Sequence, residues 1–194
     1  MTHKVHGFKW MWVLAGIVAL QGLDQAAATQ GFSDQVVTLK DGLKEMLQTR
    51  GATKLNKLTL TPTPEQKTAI QSKCGMEAPG PYTLYQGLKA DGSLVGTVVI
   101  MDEKGKEGPL QMLVALQPDG TVYDAAFTVF GEERGKPALS WNFLKQFMGK
   151  SSKDPLVPGK DIDGVSGATY TSKAVAVAMK RSVCVYAEVA PHGP

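Results

Sequence analysis

The segment from Asp163 to Ser172 holds the densest group of residues that could support chemistry. Its sequence, Asp-Gly-Val-Ser-Gly-Ala-Thr-Tyr-Thr-Ser, combines one carboxylate, two glycines and four serine or threonine hydroxyls. An apolar run follows and predicts a helix from Ser172 to about Tyr186. The first N–H groups of a helix lack intrahelical partners, so a small-residue loop at a helix start is a natural phosphate site. The segment therefore predicts a phosphate-binding loop.

Other common chemistries find little support in the sequence. The three histidines, His3, His6 and His192, lie near the ends of the chain, which excludes a Ser-His-Asp site in the interior. The acidic pairs Glu132-Glu133 and Asp161-x-Asp163 lack the spacing of a calcium loop, so no metal site is expected. The net charge of +3 comes without a basic block, which argues against nucleic-acid binding. These exclusions favour a cofactor that carries its own chemistry.

The start of the chain has the pattern of an export signal. Two lysines precede the apolar run Trp10–Leu20, and a small-residue site follows at Ala26–Ala28. We expect residues 1–28 to be a cleaved signal peptide, with an uncleaved membrane anchor as the alternative. Either interpretation places the protein in the periplasm or on the outer face of the cytoplasmic membrane. Cys74 and Cys184 could form a disulfide there, or could remain two small buried apolar residues.

Residues 29–80 are predicted to form a helical extension. Apolar residues at helical spacing predict a helix over Ser33–Gln48, with Ser33 as its N-cap. The alternating segment Lys54–Leu60 could be a short strand or an extended arm. Thr63, followed by proline and a glutamine three residues on, predicts a capped helix that ends near Cys74.

The period of the apolar residues changes to two after Pro81. Four strands are predicted, at Tyr82–Leu88, Leu94–Asp102, Leu110–Gln117 and Thr121–Phe130. Asp-Gly pairs at residues 91–92 and 119–120 predict hairpin turns, and a helix is predicted from Pro137 to about Met148. The expected fold class is α+β, with helices packed on an antiparallel sheet of four or more strands. No dinucleotide-binding glycine pattern follows a strand.

The segment Asp163–Thr171 resembles the flavinylation motif of the FMN-binding domain family. That family includes the covalent-flavin subunits of the sodium-pumping NADH:quinone reductase and of the Rnf electron-transport complexes. The resemblance implies that a flavin transferase moves FMN from FAD, in a magnesium-dependent step, onto a threonine hydroxyl through a phosphoester. The matching acceptor is Thr169, with Thr171 as the alternative.

The resemblance extends over roughly Tyr82–Tyr186, so residues 81–188 are expected to form the FMN-binding domain and 189–194 a tail. Family members have an amphipathic helix that ends near Phe-x-Gly-Lys, as at Phe147–Lys150. The turn after the last strand departs from the family. The membrane-complex proteins carry Glu-Thr-Pro-Gly-Leu-Gly there, whereas this chain has Glu-Glu-Arg-Gly-Lys-Pro at residues 132–137. The flavin's partner or potential is therefore expected to differ.

The resemblance also implies roles for individual residues. The cofactor-binding residues expected around the acceptor are Ser166, Gly167, Ala168, Thr169, Tyr170 and Thr171. Glu132 or Glu133 is expected to hydrogen-bond the flavin ring, and Lys160 to neutralise phosphate or flavin charge. Asp163 is assigned to recognition by the transferase or to a turn-stabilising bond. The alternatives are ordinary helix capping for the hydroxyls, core packing for Tyr170 and a solvated loop position for Lys160.

The function that these features imply is extracytoplasmic electron transfer by a covalently bound FMN. The electron donor and acceptor would be membrane or periplasmic redox proteins. Two alternatives remain open, a small flavin-dependent reductase that acts on its own substrate and a cofactor-free secreted binding module.

Overall fold

A computed structural model describes residues 35–191, so the expected leader at 1–28, Ser33 and the last three residues lie outside the described part. A five-stranded antiparallel sheet organises the fold, and each strand pairs with the next one in the chain. The strands are β1 (Lys54–Leu60), β2 (Tyr82–Leu88), β3 (Leu94–Lys104), β4 (Pro109–Leu116) and β5 (Val122–Phe130). The prediction of an α+β fold with an antiparallel sheet of four or more strands is confirmed.

The segment Lys54–Leu60 is a strand rather than an extended arm. It pairs along its whole length with β2, from Lys54 opposite Leu88 to Leu60 opposite Tyr82. Leu58 and Leu60 pack against the main core, which explains why the alternating pattern becomes an edge strand. The predicted boundary near residue 80 therefore passes between two paired strands, and the preceding segment is only partly helical.

Both Asp-Gly turns join neighbouring strands as predicted. Gly92 and Gly120 each have a φ of 85°, a left-handed conformation that glycine adopts without strain. In each turn the aspartate Oδ1 accepts a backbone N–H two residues later, from Ser93 and from Thr121. The turns thereby fix the register of β2 with β3 and of β4 with β5.

One face of the sheet is covered by a short N-terminal helix. Helix α1 (Leu39–Leu43) continues into a π-helical turn, Lys44–Gln48, and begins at the N-cap Thr38. The helix was predicted to run from Ser33, but the described residues before Thr38 are not helical. There Val36 bridges Phe127 of β5, and the Val37 N–H donates to the Phe127 carbonyl. The sheet edge thus uses backbone groups that a longer helix would need.

The other face carries the larger core and two longer helices. Helix α2 (Pro64–Cys74) starts with the expected capping box between Thr63 and Gln66, and α4 spans Thr169–Val189. Cys74 at the end of α2 forms a disulfide with Cys184 of α4. Both helices contribute to one apolar cluster with β2–β5, which fixes α4 across the sheet. Within residues 35–191 no helix combines the length and apolar character needed to cross a membrane.

The region predicted as one helix from Pro137 to Met148 is broken. It consists of a 3₁₀ turn (Lys136–Leu139), helix α3 (Trp141–Leu144) and a second 3₁₀ turn (Lys145–Phe147). The break lies at Ser140, whose ψ of 142° is extended. Serine favours the start of a helix over its interior, so a new helical segment begins there. Phe143 and Phe147 still face the core, as their spacing predicts.

Candidate functional site

The loop before α4 is built around a β-turn at residues 165–168. The Ala168 N–H donates to the Val165 carbonyl at 3.0 Å, and Gly167 has a φ of 78° at the third position. A positive φ at this position is the signature of a type II turn, which explains the glycine. A Cβ on Gly167 would meet no atom within 4 Å, so its backbone conformation rather than space requires glycine. The turn directs the chain into the first residue of α4.

Ser172 anchors this turn from inside the helix. Its side-chain oxygen accepts the Val165 N–H at 3.1 Å and donates to the Ala168 carbonyl at 2.9 Å. The side chain is almost fully buried. The Ser172 hydroxyl thus links the helix to the preceding turn.

A second anchor holds the segment where the loop begins. The Asp163 N–H donates to Gln146 Oε1 at 2.7 Å, and Gln146 Nε2 donates to the Asp163 carbonyl at 3.3 Å. The side-chain amide thereby pairs with the backbone in the way that a neighbouring strand would. The carboxylate of Asp163 is left at the exposed surface.

Thr169 is the first residue of α4, three residues before the predicted start at Ser172. The residue before it, Ala168, occupies the N-cap and makes no side-chain hydrogen bond to the helix. Thr169 itself is exposed. The first N–H groups of a helix have no intrahelical acceptor, and the helix dipole adds partial positive charge there. A negative group carried by the Thr169 hydroxyl would therefore lie at the favourable end of a 21-residue helix.

A buried carboxylate lies beneath the first turn of α4. Glu132, just after β5, is only 3% exposed. Its Oε1 accepts the N–H groups of Glu107 and Gly108, at 2.6 and 3.1 Å. Its Oε2 accepts the hydroxyl of Thr171 at 2.9 Å. One side chain thus joins the β3–β4 turn, the turn after β5 and helix α4.

The surroundings of Glu132 favour its charged form. Burial raises the pKa of this carboxyl, but the hydrogen bonds from Glu107, Gly108 and Thr171 outweigh burial, and the pKa lies below its ordinary value. Thr171 is buried and its hydroxyl is engaged as a donor. Among the two candidate acceptors, Thr169 is therefore the exposed one.

A shallow cleft of about 230 Å³ opens beside Thr169. Its walls come from the β3–β4 turn, the turn after β5 and the start of α4, with Lys106, Glu107, Glu132, Arg134, Gly135 and residues 167–171 lining it. The ammonium group of Lys106 lies 4.9 Å from the centre of the Tyr170 ring. Tyr170 is 66% exposed, so it is not a core tyrosine. The cleft thus combines two cations and an accessible aromatic ring with the Thr169 hydroxyl.

The structure brings together some of the sequence-predicted site residues and separates others. Gly167, Ala168, Thr169, Tyr170, Thr171 and Glu132 all line the cleft. Ser166 is exposed on the turn that precedes the cleft-lining residues. Glu133 is exposed and pairs with Lys136 at 2.7 Å. Lys160 is exposed in the loop before the turn, outside the set of residues that lines the cleft.

Several contributors were not identified from the sequence. Lys106 comes from a turn that the pattern marked only as a connection. Arg134 lies in the turn that departs from the family sequence but was given no role of its own, and Gln146 appeared only as a helix residue. A signal was present in the β3–β4 turn, where Gly105 and Gly108 lie three residues apart. A Cβ on Gly105 would overlap Glu132 Oε1, so the spacing reflects close approach of a carboxylate.

The chain is similar to a known protein family and to several known proteins. The sequence model of the family described as the FMN-binding domain matches residues 105–183. One component of the Na⁺-translocating ferredoxin:NAD⁺ oxidoreductase complex of Acetobacterium woodii is 35% identical over 130 residues, which are 60% of this chain and 61% of that protein. A component of the proton-translocating ferredoxin:NAD⁺ oxidoreductase complex of Clostridium ljungdahlii is 36% identical over 110 residues, 53% of this chain and 57% of that protein. The chain thus spans little more than half the length of these relatives.

Two solved structures are also similar to the chain. NqrC of Shewanella oneidensis has a TM-score of 0.43 and 22% identity, covering 63% of this chain and 62% of that one. A component of the Na⁺-translocating NADH-quinone reductase of Parabacteroides distasonis has a TM-score of 0.47 and 20% identity, covering 78% of this chain and 84% of that one.

The family match includes the whole candidate site. All residues that line the cleft, from Lys106 to Thr171, lie inside the matched segment. Residues 105–183 of this chain, which include every residue that lines the cleft, are therefore similar to the FMN-binding domain family.

Proposed function

We propose that this protein is an electron-transfer protein of a redox complex that carries FMN covalently attached, through a phosphoester, to the Thr169 hydroxyl. The observation that carries the proposal is the exposed position of Thr169 as the first residue of a long helix whose N-cap, Ala168, makes no side-chain hydrogen bond to it. A threonine-linked phosphate retains one negative charge as a diester. At this position the charge meets the positive end of the helix.

The residues around Thr169 fit the chemical groups of FMN. Lys106 and Arg134 supply positive charge on two walls of the cleft, where phosphate would lie at the helix start. Arg134 also pairs with Glu107, its Nε lying 3.6 Å from Oε1, so part of its charge is already balanced. The exposed ring of Tyr170 offers an aromatic surface for the flavin ring. When bound, FMN supplies the capacity to accept and release electrons.

The small size of the cleft favours a covalent link. Pockets that enclose a ligand of drug size usually measure about 300–1,000 Å³, and this cleft measures about 230 Å³. A flavin at Thr169 would therefore be only partly enclosed, so the fold alone would retain it weakly. A phosphoester keeps such a cofactor bound while leaving it open to redox partners.

The attachment reaction that we propose balances with FAD as the donor. The Thr169 oxygen forms a bond to the phosphorus of the FMN half, the bond from that phosphorus to the AMP half breaks, and AMP leaves with the bridging oxygen. The hydroxyl proton passes to a base of the transferase or to water. A magnesium-dependent flavin transferase is the partner required for this maturation step.

We further propose that the protein functions outside the cytoplasm, with membrane or periplasmic redox proteins as electron donor and acceptor. The disulfide between Cys74 and Cys184 supports an oxidising compartment. The curated relatives are subunits of ion-translocating oxidoreductase complexes, which supports a role within a membrane redox assembly. The expected export signal at residues 1–28 is part of this proposal.

The test is to incubate residues 29–194 with a flavin transferase, FAD and Mg²⁺, and then to measure intact mass and visible absorbance after denaturation. We expect one FMN, less one water, and a yellow denatured protein. Thr169→Ala should remain colourless, while Thr169→Ser should retain the hydroxyl and the colour. Absence of an adduct on the unsubstituted chain would favour a cofactor-free binding module. Substrate turnover by the loaded chain alone would favour a flavin-dependent reductase.

A further inference from the structure

The β3–β4 turn and the turn after β5 meet at the buried carboxylate of Glu132, which also accepts a hydrogen bond from Thr171. We infer that Glu132 is a positioning residue that selects Thr169 as the acceptor by holding the hydroxyl of Thr171. This inference rests on the proposed function, because it concerns the same attachment reaction. It assigns Glu132 a structural contact with the helix in place of the expected hydrogen bond to the flavin ring.

Three donors already bind the Glu132 carboxylate. Two backbone N–H groups of the β3–β4 turn and the Thr171 hydroxyl all donate to it. Its side chain is 3% exposed, so a ligand in the cleft has little access to the remaining acceptor sites. A charged acceptor bound by several donors forms stronger hydrogen bonds than a neutral one. The contact with Thr171 is therefore a strong constraint on the first turn of α4.

The two candidate hydroxyls lie two residues apart on α4 but in different environments. Thr171 is 2% exposed and donates its proton to Glu132 Oε2, whereas Thr169 is exposed on the cleft. Residues two apart on a helix point in different directions, so fixing Thr171 inward directs Thr169 elsewhere. The bond thus removes one nucleophile from competition and orients the other.

Two glycines leave the space that the contact between Glu132 and Thr171 occupies. A Cβ on Gly135 would overlap Thr171 Oγ1 and come within 2.7 Å of the Glu132 Cβ. A Cβ on Gly105 would overlap Glu132 Oε1. Both turns therefore approach the carboxylate closely because they lack side chains at these points.

The experiment compares Thr171→Val with Thr171→Ser in residues 29–194. Valine keeps the shape but removes the hydroxyl, and serine keeps the hydroxyl. We measure kcat and KM for transfer from FAD with the protein chain as the varied substrate. Misplacement of a reacting group lowers the rate of the chemical step, so we expect kcat of the valine variant to fall by about tenfold or more, with KM changed by less than about threefold. The serine variant should recover most of the rate.

A second readout requires no flavin. Amide hydrogen exchange at Ser172 of the unloaded chain, whose N–H donates to the Ala168 carbonyl at 2.8 Å, should increase in Thr171→Val and remain near the original value in Thr171→Ser. Ser182→Ala is the matched control, because Ser182 is buried on the same helix and its hydroxyl donates to Ala178 at 2.8 Å. This control loses a similar hydrogen bond but should retain kcat and exchange at the start of the helix.

A third variant tests Glu132 directly. Glu132→Gln keeps the size and can still accept the two backbone N–H groups through its oxygen, but its NH₂ then faces Thr171. The Thr171 hydroxyl would then accept a neutral hydrogen bond from this NH₂ in place of donating to a carboxylate, so the contact weakens and kcat should fall, by no more than in Thr171→Val. The double variant Glu132→Gln/Thr171→Val should be no slower than Thr171→Val alone, because both changes act on the same interaction.

The outcomes separate this inference from the proposed function. If Thr171→Val accepts flavin with unchanged kcat and shows unchanged exchange, the positioning role of Glu132 is rejected while covalent attachment stands. A full additive loss in the double variant would also reject it. If the unsubstituted chain acquires no flavin, or acquires it at Thr171, the proposed attachment at Thr169 fails and the selection role fails with it.

Discussion

The side-chain amide of Gln146 pairs with the backbone of Asp163, accepting its N–H at 2.7 Å and donating to its carbonyl at 3.3 Å. Gln146 lies in the 3₁₀ turn after α3, and Asp163 begins the loop that leads to Thr169. The pair connects the two segments across 17 residues of sequence. The loop is therefore held at its start by Gln146 and at its end by Ser172.

The first prediction concerns this pair. Replacing Gln146 by leucine removes both hydrogen bonds, and we expect the free energy of unfolding to fall by about 1 kcal/mol. Amide exchange at Asp163 and Gly164 should increase, and flavin transfer to Thr169 should slow. Lys145→Ala, at the exposed neighbouring position, is the control and should leave all three quantities near their original values. Unchanged exchange at Asp163 in the leucine variant would show that the pair does not hold the loop.

The second prediction uses two glycines of the same loop. Gly167 has a φ of 78°, whereas Gly164 is outside the left-handed region, and a Cβ on either would meet open space. Alanine at Gly167 should therefore lower the free energy of unfolding by about 1–2 kcal/mol, because an L-residue is strained at positive φ. Gly164→Ala should cost little. Equal stabilities of the two variants in denaturant titrations would contradict the type II turn.

The third prediction concerns the disulfide between Cys74 and Cys184. It closes a loop of 110 residues and joins α2 to α4. Removal of a bridge with so large a loop typically lowers the free energy of unfolding by about 2–5 kcal/mol. We expect this loss in the double alanine variant and in the original protein with a thiol reductant. The reductant should not change the free energy of unfolding of the variant. If the reductant also leaves that of the original protein unchanged, the disulfide does not contribute to stability.

The fourth prediction is a pH dependence of stability that arises at Asp124, on the face of the sheet that α1 covers. Burial, and the negative charge of Glu45, raise the pKa of Asp124 to about 6, although the Ala125 N–H and Arg50 act in the opposite direction. The folded state therefore favours the neutral acid. The free energy of unfolding should fall by up to about 3 kcal/mol as the pH rises from about 4 to about 6, and it should then stay constant.

The variant Asp124→Asn removes this titration, so it should be more stable than the original protein at pH 8 and similar at pH 4. Asp119→Asn is the matched control, since hydrogen bonds from Thr121 hold the pKa of Asp119 below its ordinary value. The Asp119→Asn variant should therefore be less stable than the original protein at pH 8 and similar to it at low pH. Denaturant unfolding at the two pH values measures both. An Asp124→Asn variant that is no more stable at pH 8 would contradict the assignment.

The sequence predicted those parts of the fold that depend on local chemistry. The Asp-Gly turns, the capping box at Thr63 and the alternation within β2–β5 all have strong local signals, and the structure contains each of them. The delayed start of α1 at Thr38 depends on contact with a distant element, whereas the break at Ser140 is a local feature that the apolar spacing of the segment did not reveal. Val36, for example, pairs with Phe127, which lies far away in the sequence.

The candidate site shows the same division. Thr169 and its neighbours were found because they form one continuous segment. Lys106, Arg134 and Gln146 come from three separate turns, and only the folded chain brings them to that segment. The start of α4 was placed too late because Ala168 gives no capping signal, and the first turn is instead held by Glu132 and Ser172.

The most direct test of the account is the location of the flavin adduct. After reaction with a flavin transferase, FAD and Mg²⁺, trypsin should release the peptide of residues 161–173, which contains both Thr169 and Thr171. Fragmentation mass spectrometry of this peptide locates the added mass. We expect one FMN, less one water, on Thr169 alone. An unmodified peptide, or an adduct on Thr171 or another residue, would contradict it.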